Sequence, residues 1–230
     1  MNARLLGLAA ITAAALSVNV YAATALKTDN DKLSYTLGFQ MGSGFKSQDM
    51  KLNPGAVEQG IQDGLSGATP AITTKQQQAV IMQMQKQAVA KAQAKMQTQS
   101  KGNISKGDAF LKANAKKPGV KTTANGLQYK IVTAGKGAKP GPTDKVTVKY
   151  TGKLLDGTVF DASSKHGGTA SFQVNQVIPG WTQALQMMHT GATWELFIPA
   201  SLAYGNTGVP GTIPPGSTLI FDVTLVSVDK

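Results

Sequence analysis

His166 and His189 are the only imidazoles in this chain of 230 residues, and there is no cysteine. The lack of thiols excludes disulfides, thiolate zinc sites and a cysteine-borne lipid. Hydrolysis by a metal ion or by a serine–histidine pair would have to be built around one of the two histidines, and neither stands in ligand or triad spacing. Histidine chemistry is therefore not expected, and nothing in the sequence calls for a metal or a cofactor. The residues left to act are aromatic and acidic. They gather in three blocks: VKYTGKLLDGTVFDAS from Val148, QVIPGWTQALQMMHTG from Gln176, and LAYGNTGVPGTIPPGSTLIFDVTLVSV from Leu202.

In order and approximate spacing these blocks resemble the FKBP family of prolyl isomerases, over roughly residues 118 to 230. The resemblance implies that Tyr150, Phe160 and Asp161 line a pocket, that Val177 and Ile178 form one wall, and that Trp181 is its floor. It assigns Tyr204, Ile213 and Phe221 to the rim and wall. Asp161, Tyr204, Phe160 and Trp181 are the residues it implies in catalysis, and the others would bind substrate. It further implies that the Ile178 amide and the Tyr204 hydroxyl donate to substrate carbonyls, with the Asp161 carboxylate near the reacting amide. A pocket of that composition suits rotation about an Xaa-Pro bond. The barrier, about 18 to 20 kcal/mol, comes from breaking amide resonance. The twisted amide loses its charge separation, so an apolar, water-poor site disfavours the planar form relative to the twisted one. A thousandfold acceleration needs only about 4 kcal/mol of differential stabilisation, so no proton transfer is assigned to Asp161.

Singly, several of these residues read as ordinary core: Trp181 sits at helical spacing with Leu185, and Tyr150 and Phe221 lie on alternating strand faces. Together with Phe160-Asp161 and Ala203-Tyr204-Gly205 they read as a site. The sequence departs from the common family pattern at Ala170, where many members carry an aromatic, at Val209, where a histidine is frequent, and at Thr212, where an aliphatic is. These changes bear on the rim, and so on the preference next to proline and on macrolide binding. His166, in the Ser164-to-Gly168 stretch, reads as an exposed residue of a loop that could touch substrate, and His189 as a partner for the C-terminal carbonyls of the helix before it.

The elements that must hold these blocks are strands. Leu127, Tyr129 and Ile131 alternate with polar residues, as do Val146, Val148 and Tyr150, then Trp194, Leu196 and Ile198, and finally Leu219, Phe221, Val223 and Leu225. Asp156-Gly157 between apolar runs predicts a hairpin turn. Trp181, Leu185 and Met188 predict one short helix covering the apolar face of the sheet. Before Pro118 the pattern is helical. Asp29 or Asp31 can cap a helix bearing Leu33, Leu37 and Met41, which Gly42 and Gly44 should end. Asn53-Pro54 starts a second, with Val57, Ile61 and Leu65 on one stripe. From Thr74 a Gln-, Lys-, Ala- and Met-rich run predicts a helix of about 60 Å if it reaches Lys112 at 1.5 Å per residue. Gly102 and Gly107 are possible breaks. Beyond Met96 the run is nearly polar all round, which predicts a bridge through solvent.

The whole chain is thus expected to be α+β: a C-terminal FKBP-like antiparallel sheet wrapped on a short helix, preceded by an all-α region with a long connecting helix. Its N-terminus carries Arg4, an apolar stretch from Leu5 to Val18 and small residues at Ala22-Ala23. That is the pattern of a signal peptide, shorter than the roughly twenty apolar residues of a spanning helix. The expected division is a signal peptide over 1–22, a short-helix dimerisation region over 23–73, the connecting helix over 74–117 and the isomerase domain over 118–230. Formal net charge is +11, but the lysines are scattered without interleaved aromatics, so nucleic acid is not an expected partner. This layout looks like the Mip-type subgroup of bacterial, virulence-associated isomerases. It implies an exported protein of the periplasm, outer membrane or cell surface, acting on proline-containing peptides and unfolded exported proteins, and inhibited by macrolides such as rapamycin. The two short helices are too small to make a core of their own, so their Leu- and Met-rich face, with Met41, Met50, Met82 and Met84, predicts a homodimer; folding back on the long helix within one chain is the alternative. Two rivals remain at this level: a chaperone that binds without turnover, whose signature would be a damaged pocket, and an adhesin whose basic face binds acidic matrix.

Overall fold

The computed structural model describes residues 25–229; the signal peptide expected at residues 1–22 lies outside them. The chain divides into two compact units, with the boundary between Thr74 and Lys75.

In the first unit, α1 (Asp29–Ser47) is capped by Thr28, ahead of both carboxylates expected to cap it, with Asp31 completing the cap from the third helical position. Thr28 Oγ1 accepts from the Asp31 amide at 3.1 Å, and the Asp31 carboxylate accepts from the Thr28 amide at 2.8 Å. This reciprocal pair satisfies two of the free donors of the first turn. The helix does not end at Gly42 and Gly44 but runs on to Ser47. Glycine weakens a helix interior by about 1 kcal/mol without breaking its hydrogen-bond ladder. A second helix, α2 (Pro54–Ser66), begins as expected, with Asn53 Oδ1 accepting from the Gly55 and Ala56 amides. Gly67, at φ +67°, closes it in the left-handed conformation. Neither helix contains a buried residue, and Leu33, Leu37, Met41, Ile61 and Leu65 are all exposed.

The second unit begins within the first turn of α3 (Thr74–Asn114), a helix of 41 residues that passes unbroken through Gly102 and Gly107. Its last turns do not bridge through solvent. Ser100, Gly107, Leu111 and Asn114 are buried. The contact is made by close backbone approach and by polar side chains, which is why an apolar stripe does not announce it. Phe110 lies 5.9 Å from Phe197, Gln128 Nε2 donates to the Leu111 carbonyl at 2.9 Å, and Asn114 Nδ2 donates to Gln128 Oε1 at 3.1 Å.

The sheet follows, with β1 (Val120–Thr122), β2 (Gln128–Thr133), β3 (Lys145–Lys153), β4 (Val159–Ala162), β5 (Ala170–Gln173), β6 (Thr193–Ile198) and β7 (Leu219–Asp229). All pairings are antiparallel, in the order β1-β2-β6-β7-β3-β4, with β5 also on β3. One face is covered by α4 (Pro179–Met187), and between them lies the core of Val146, Val148, Leu185, Met188, Leu196, Ile198, Val223 and Leu225. The alternations of β3, β6 and β7 are met. That of β2 is not: Leu127 is fully buried just before the strand, Tyr129 is half-buried and stacked on Trp194 at 4.5 Å, and Ile131 is exposed. Ile131 still pairs with Trp194, and the register with β6 shifts between Ile131 and Thr133. The turn at Asp156-Gly157 is present, with Gly157 at φ +87° and the Leu154 amide donating to the Thr158 carbonyl.

Candidate active site

Trp181 stands in the first turn of α4 with its ring buried, because the helix meets the sheet at Gly180. A Cβ on Gly180 would lie 2.5 Å from Ile198 Cγ2, a distance no packed carbon tolerates. Thr182 Oγ1 donates to the Val174 carbonyl at 2.7 Å and fixes the start of α4 against the turn that precedes Val177 and Ile178. Three rings meet the indole edge-on: Tyr150 of β3 at 5.3 Å, Phe221 of β7 at 5.2 Å and Phe172 of β5 at 5.9 Å, with interplanar angles of 86°, 78° and 87°. Such T-shaped pairs set the positive rim of one ring against the face of another and favour one rigid arrangement. The Trp181 Nε1–H is buried and finds no acceptor among the described residues.

Phe160 enters from the side through an irregularity in pairing. Gly152 of β3 faces Asp161 and Lys153 faces Val159, so Phe160 is the extra residue of a bulge in β4. Bulges re-aim side chains, and here the ring packs edge-on against Phe221 at 5.5 Å. Gly152 makes the room: a Cβ there would lie 2.6 Å from atoms of both Phe160 and Phe221.

These rings enclose a cavity of about 400 Å³, lined also by Asp161, Gln176, Val177, Ile178 and Tyr204. Asp161 is its one carboxylate. Tyr150 donates its hydroxyl to Oδ2 at 2.6 Å, the Ala162 amide donates to Oδ1 at 2.8 Å, and His166 Nε2 lies 3.2 Å from Oδ1. Burial raises the pKa of Asp161, but the hydrogen bonds from Tyr150, His166 and Ala162 outweigh it and hold the carboxyl below its ordinary value. Burial, the hydrogen bond to Asp161 and the charge on that carboxylate push Tyr150 well above the usual phenol range. Tyr204 is raised too, by burial and then by Asp161. Both phenols stay protonated. The Tyr204 hydroxyl and the Ile178 amide have no acceptor among the described residues.

Eight of the nine residues that the resemblance implied are brought together: Tyr150, Phe160, Asp161, Val177, Ile178, Trp181, Tyr204 and Phe221. Ile213 is not among the lining residues. It is buried in the core and bridges to Val209, whose amide donates to the Ile213 carbonyl at 2.8 Å, so it braces the loop behind Tyr204. Phe172, Gln176 and His166 were missed. Phe172 left a trace, an aromatic two positions after Ala170, where the family aromatic is lacking. Gln176 left none. His166 is indeed exposed, but it reaches back to the site carboxylate, a contact across five residues that no periodicity reports. His189 does not serve the carbonyls of α4; its Nδ1 lies 2.8 Å from the Gly137 carbonyl.

Residues 136–226 match the family model for FKBP-type peptidyl-prolyl cis-trans isomerase, and residues 30–131 match the model for the domain amino terminal to FKBP-type peptidyl-prolyl isomerase. Over 230 residues the chain is 51% identical to the outer membrane protein MIP of Legionella longbeachae, all of this chain aligning with 97% of that one. It is 46% identical over 215 residues to the peptidyl-prolyl cis-trans isomerase Mip of Coxiella burnetii, with 94% of each chain covered. The crystal structure of FkpA from Escherichia coli superposes with a TM-score of 0.74 at 38% identity, over 89% of this chain and 99% of that one.

Proposed function

The chain belongs to the FKBP-type peptidyl-prolyl cis-trans isomerases, is Mip-like and is an enzyme of that activity; on that footing we propose that the aromatic cavity over Trp181 is where the Xaa-Pro bond turns. The observation that carries this reading is the pairing of an apolar floor with two unengaged donors at its edge, the Ile178 amide and the Tyr204 hydroxyl. The proline ring stacks on the indole. The two donors hold substrate carbonyls on either side of the bond, and the bond between them is free to rotate in a place with little water. Planar amide, with its charge separation, loses more solvation there than the twisted form does. Asp161 remains ionised and tied to Tyr150, so its part is electrostatic, and no bond to the protein forms. The intact cavity favours an enzyme over a binding protein without turnover.

The test is isomerisation of a short Xaa-Pro peptide, with and without rapamycin, beside an Asp161→Ala, Tyr204→Phe variant. Turnover blocked by rapamycin and lost in the variant supports the reading. Full turnover in the variant would move the site elsewhere.

Export, dimerisation and clients belong to the same proposal. The apolar stretch and small residues at the N-terminus support cleavage after Ala22, with the mature protein in the periplasm or at the cell surface acting on unfolded exported proteins. Among the described residues no helix is long and apolar enough to cross a membrane. A homodimer through the first unit is supported by two well-capped helices that bury nothing in their own chain.

A further inference from the structure

The rim loop that carries Tyr204 is held at its base by α3. Ser100, buried in the helix, donates its hydroxyl to Asn206 Oδ1 at 3.1 Å, and Asn103 Nδ2 donates to the Pro215 carbonyl at 2.9 Å. These bonds span 106 and 112 positions of sequence, so they are tertiary contacts between helix and loop rather than local turns. Two glycines bring the backbones together. Gly216, at φ +73°, would place a Cβ 2.5 Å from the Ser100 carbonyl, and a Cβ on Gly107 would fall inside the Thr218 hydroxyl. The loop is also closed on itself, with the Gly216 amide donating to the Gly205 carbonyl at 2.9 Å. Gly205 follows Tyr204 directly. A displacement of Asn206 or Pro215 is therefore passed to the Tyr204 phenol through one closed ring of backbone.

We propose that Ser100 and Asn103 are positioning residues for the isomerase reaction, acting through the 205–216 loop to hold the Tyr204 hydroxyl over the cavity. The inference rests on the reading of Tyr204 as a substrate donor. A purely structural helix would need only to cover apolar surface, which Phe110 and Leu111 do at the opposite edge of the contact. Ser100 and Asn103 instead spend their polar atoms on the two ends of the loop that bears the rim hydroxyl. The isomerase machinery on this view begins within α3, ahead of the boundary at Pro118 read from the sequence.

The experiment uses the full chain. In the Ser100→Ala, Asn103→Ala double variant, kcat/KM for a short Xaa-Pro peptide should fall about fivefold, the worth of one neutral hydrogen bond of about 1 kcal/mol at the rim. The amides around Tyr204 to Val209 should exchange hydrogen faster while those of β3 and β7 keep their protection. On a Tyr204→Phe background the same double change should cost nothing more, since it acts through a hydroxyl no longer there. Asn206→Ala, a change at an exposed loop residue, should repeat the loss from the other side. Undiminished turnover in the helix and Asn206 variants, or a loss of equal size on the Tyr204→Phe background, overturns the inference. If Tyr204→Phe is itself silent, the reading of the rim donor fails and takes the inference with it; a silent helix variant beside a slow Tyr204→Phe overturns the inference alone.

Discussion

Three ionisable groups meet at the cavity, and their environments push them apart. Asp161 is held below the ordinary carboxylate range, while Tyr150 and Tyr204 are raised. The signs fix what pH can do. A depressed carboxyl contributes stability that is present above its unfolded pKa and lost as pH falls through the folded one; a raised phenol contributes stability that is present below its unfolded pKa and lost as pH rises through the folded one. None of the three changes charge between about pH 6 and 9. An amide that turns without proton transfer should then show no pH dependence of its own. In a His166→Gln variant, which removes the imidazole beside Asp161, kcat/KM for an uncharged Xaa-Pro peptide is expected to be level across that range. A slope or bell that survives the substitution would mean that one of the three titrates during turnover, and would bring acid–base chemistry into the mechanism.

The elements matter for where they depart from regularity. Phe160 reaches the cavity because β4 carries one residue more than β3 opposite it, and Gly152 leaves the gap that the ring fills. Gly152→Ala sets a methyl against Phe160 and Phe221 and should destabilise the unit by about 1 to 3 kcal/mol, the usual range for overpacking. Thermal unfolding measures that loss, and kcat/KM should fall with it because both rings line the site; an alanine variant with native melting and native turnover would show that the rings yield freely. This bulge also marks the limit of what sequence could tell. Strand alternation placed β3, β6 and β7 and the helical spacing of Trp181 placed α4, because each turns one apolar face to a common core. Bulges, a strand running past the core at Ile131, and a capping residue ahead of both carboxylates have no period to read. The docked end of α3 was missed for a related reason: Ser100, Asn103, Gly107 and Asn114 meet their partners through hydrogen bonds and bare backbone, and a polar contact looks like a solvated face. For the cavity, eight lining residues were legible only as a set, through blocks of resemblance, whereas Phe172 arrives by packing between segments and His166 by a short reach back across five residues.

At the scale of the whole molecule, the first unit poses the larger physical question. Its α1 and α2 enclose an apolar groove of about 540 Å³ lined by Met41, Phe45, Met50, Leu52, Val57 and Ile61, with Lys46, Glu58 and Gln62 among the polar residues of its lining. A pair of helices with no buried residue cannot offset the entropy of ordering its chain, and an exposed apolar face of this kind marks an interaction surface. In the homodimer proposed above a second copy would supply a matching surface, since a two-fold interface sets the same patch against itself. Methionines suit it, because their shape adapts to irregular contacts. Sedimentation equilibrium of the protein without residues 1–22 should therefore give twice the mass of one chain. A Met41→Glu, Ile61→Glu variant buries two uncompensated charges if it associates, and is expected to sediment as a monomer that has lost the helical circular dichroism of α1 and α2 while the second unit keeps its own. Turnover of a short peptide per site should be unchanged, because the cavity over Trp181 lies wholly in the second unit. Refolding of a large proline-limited protein, which needs more surface than one cavity presents, should slow. A native protein that sediments as a single chain would remove the dimer and leave the groove to a client segment.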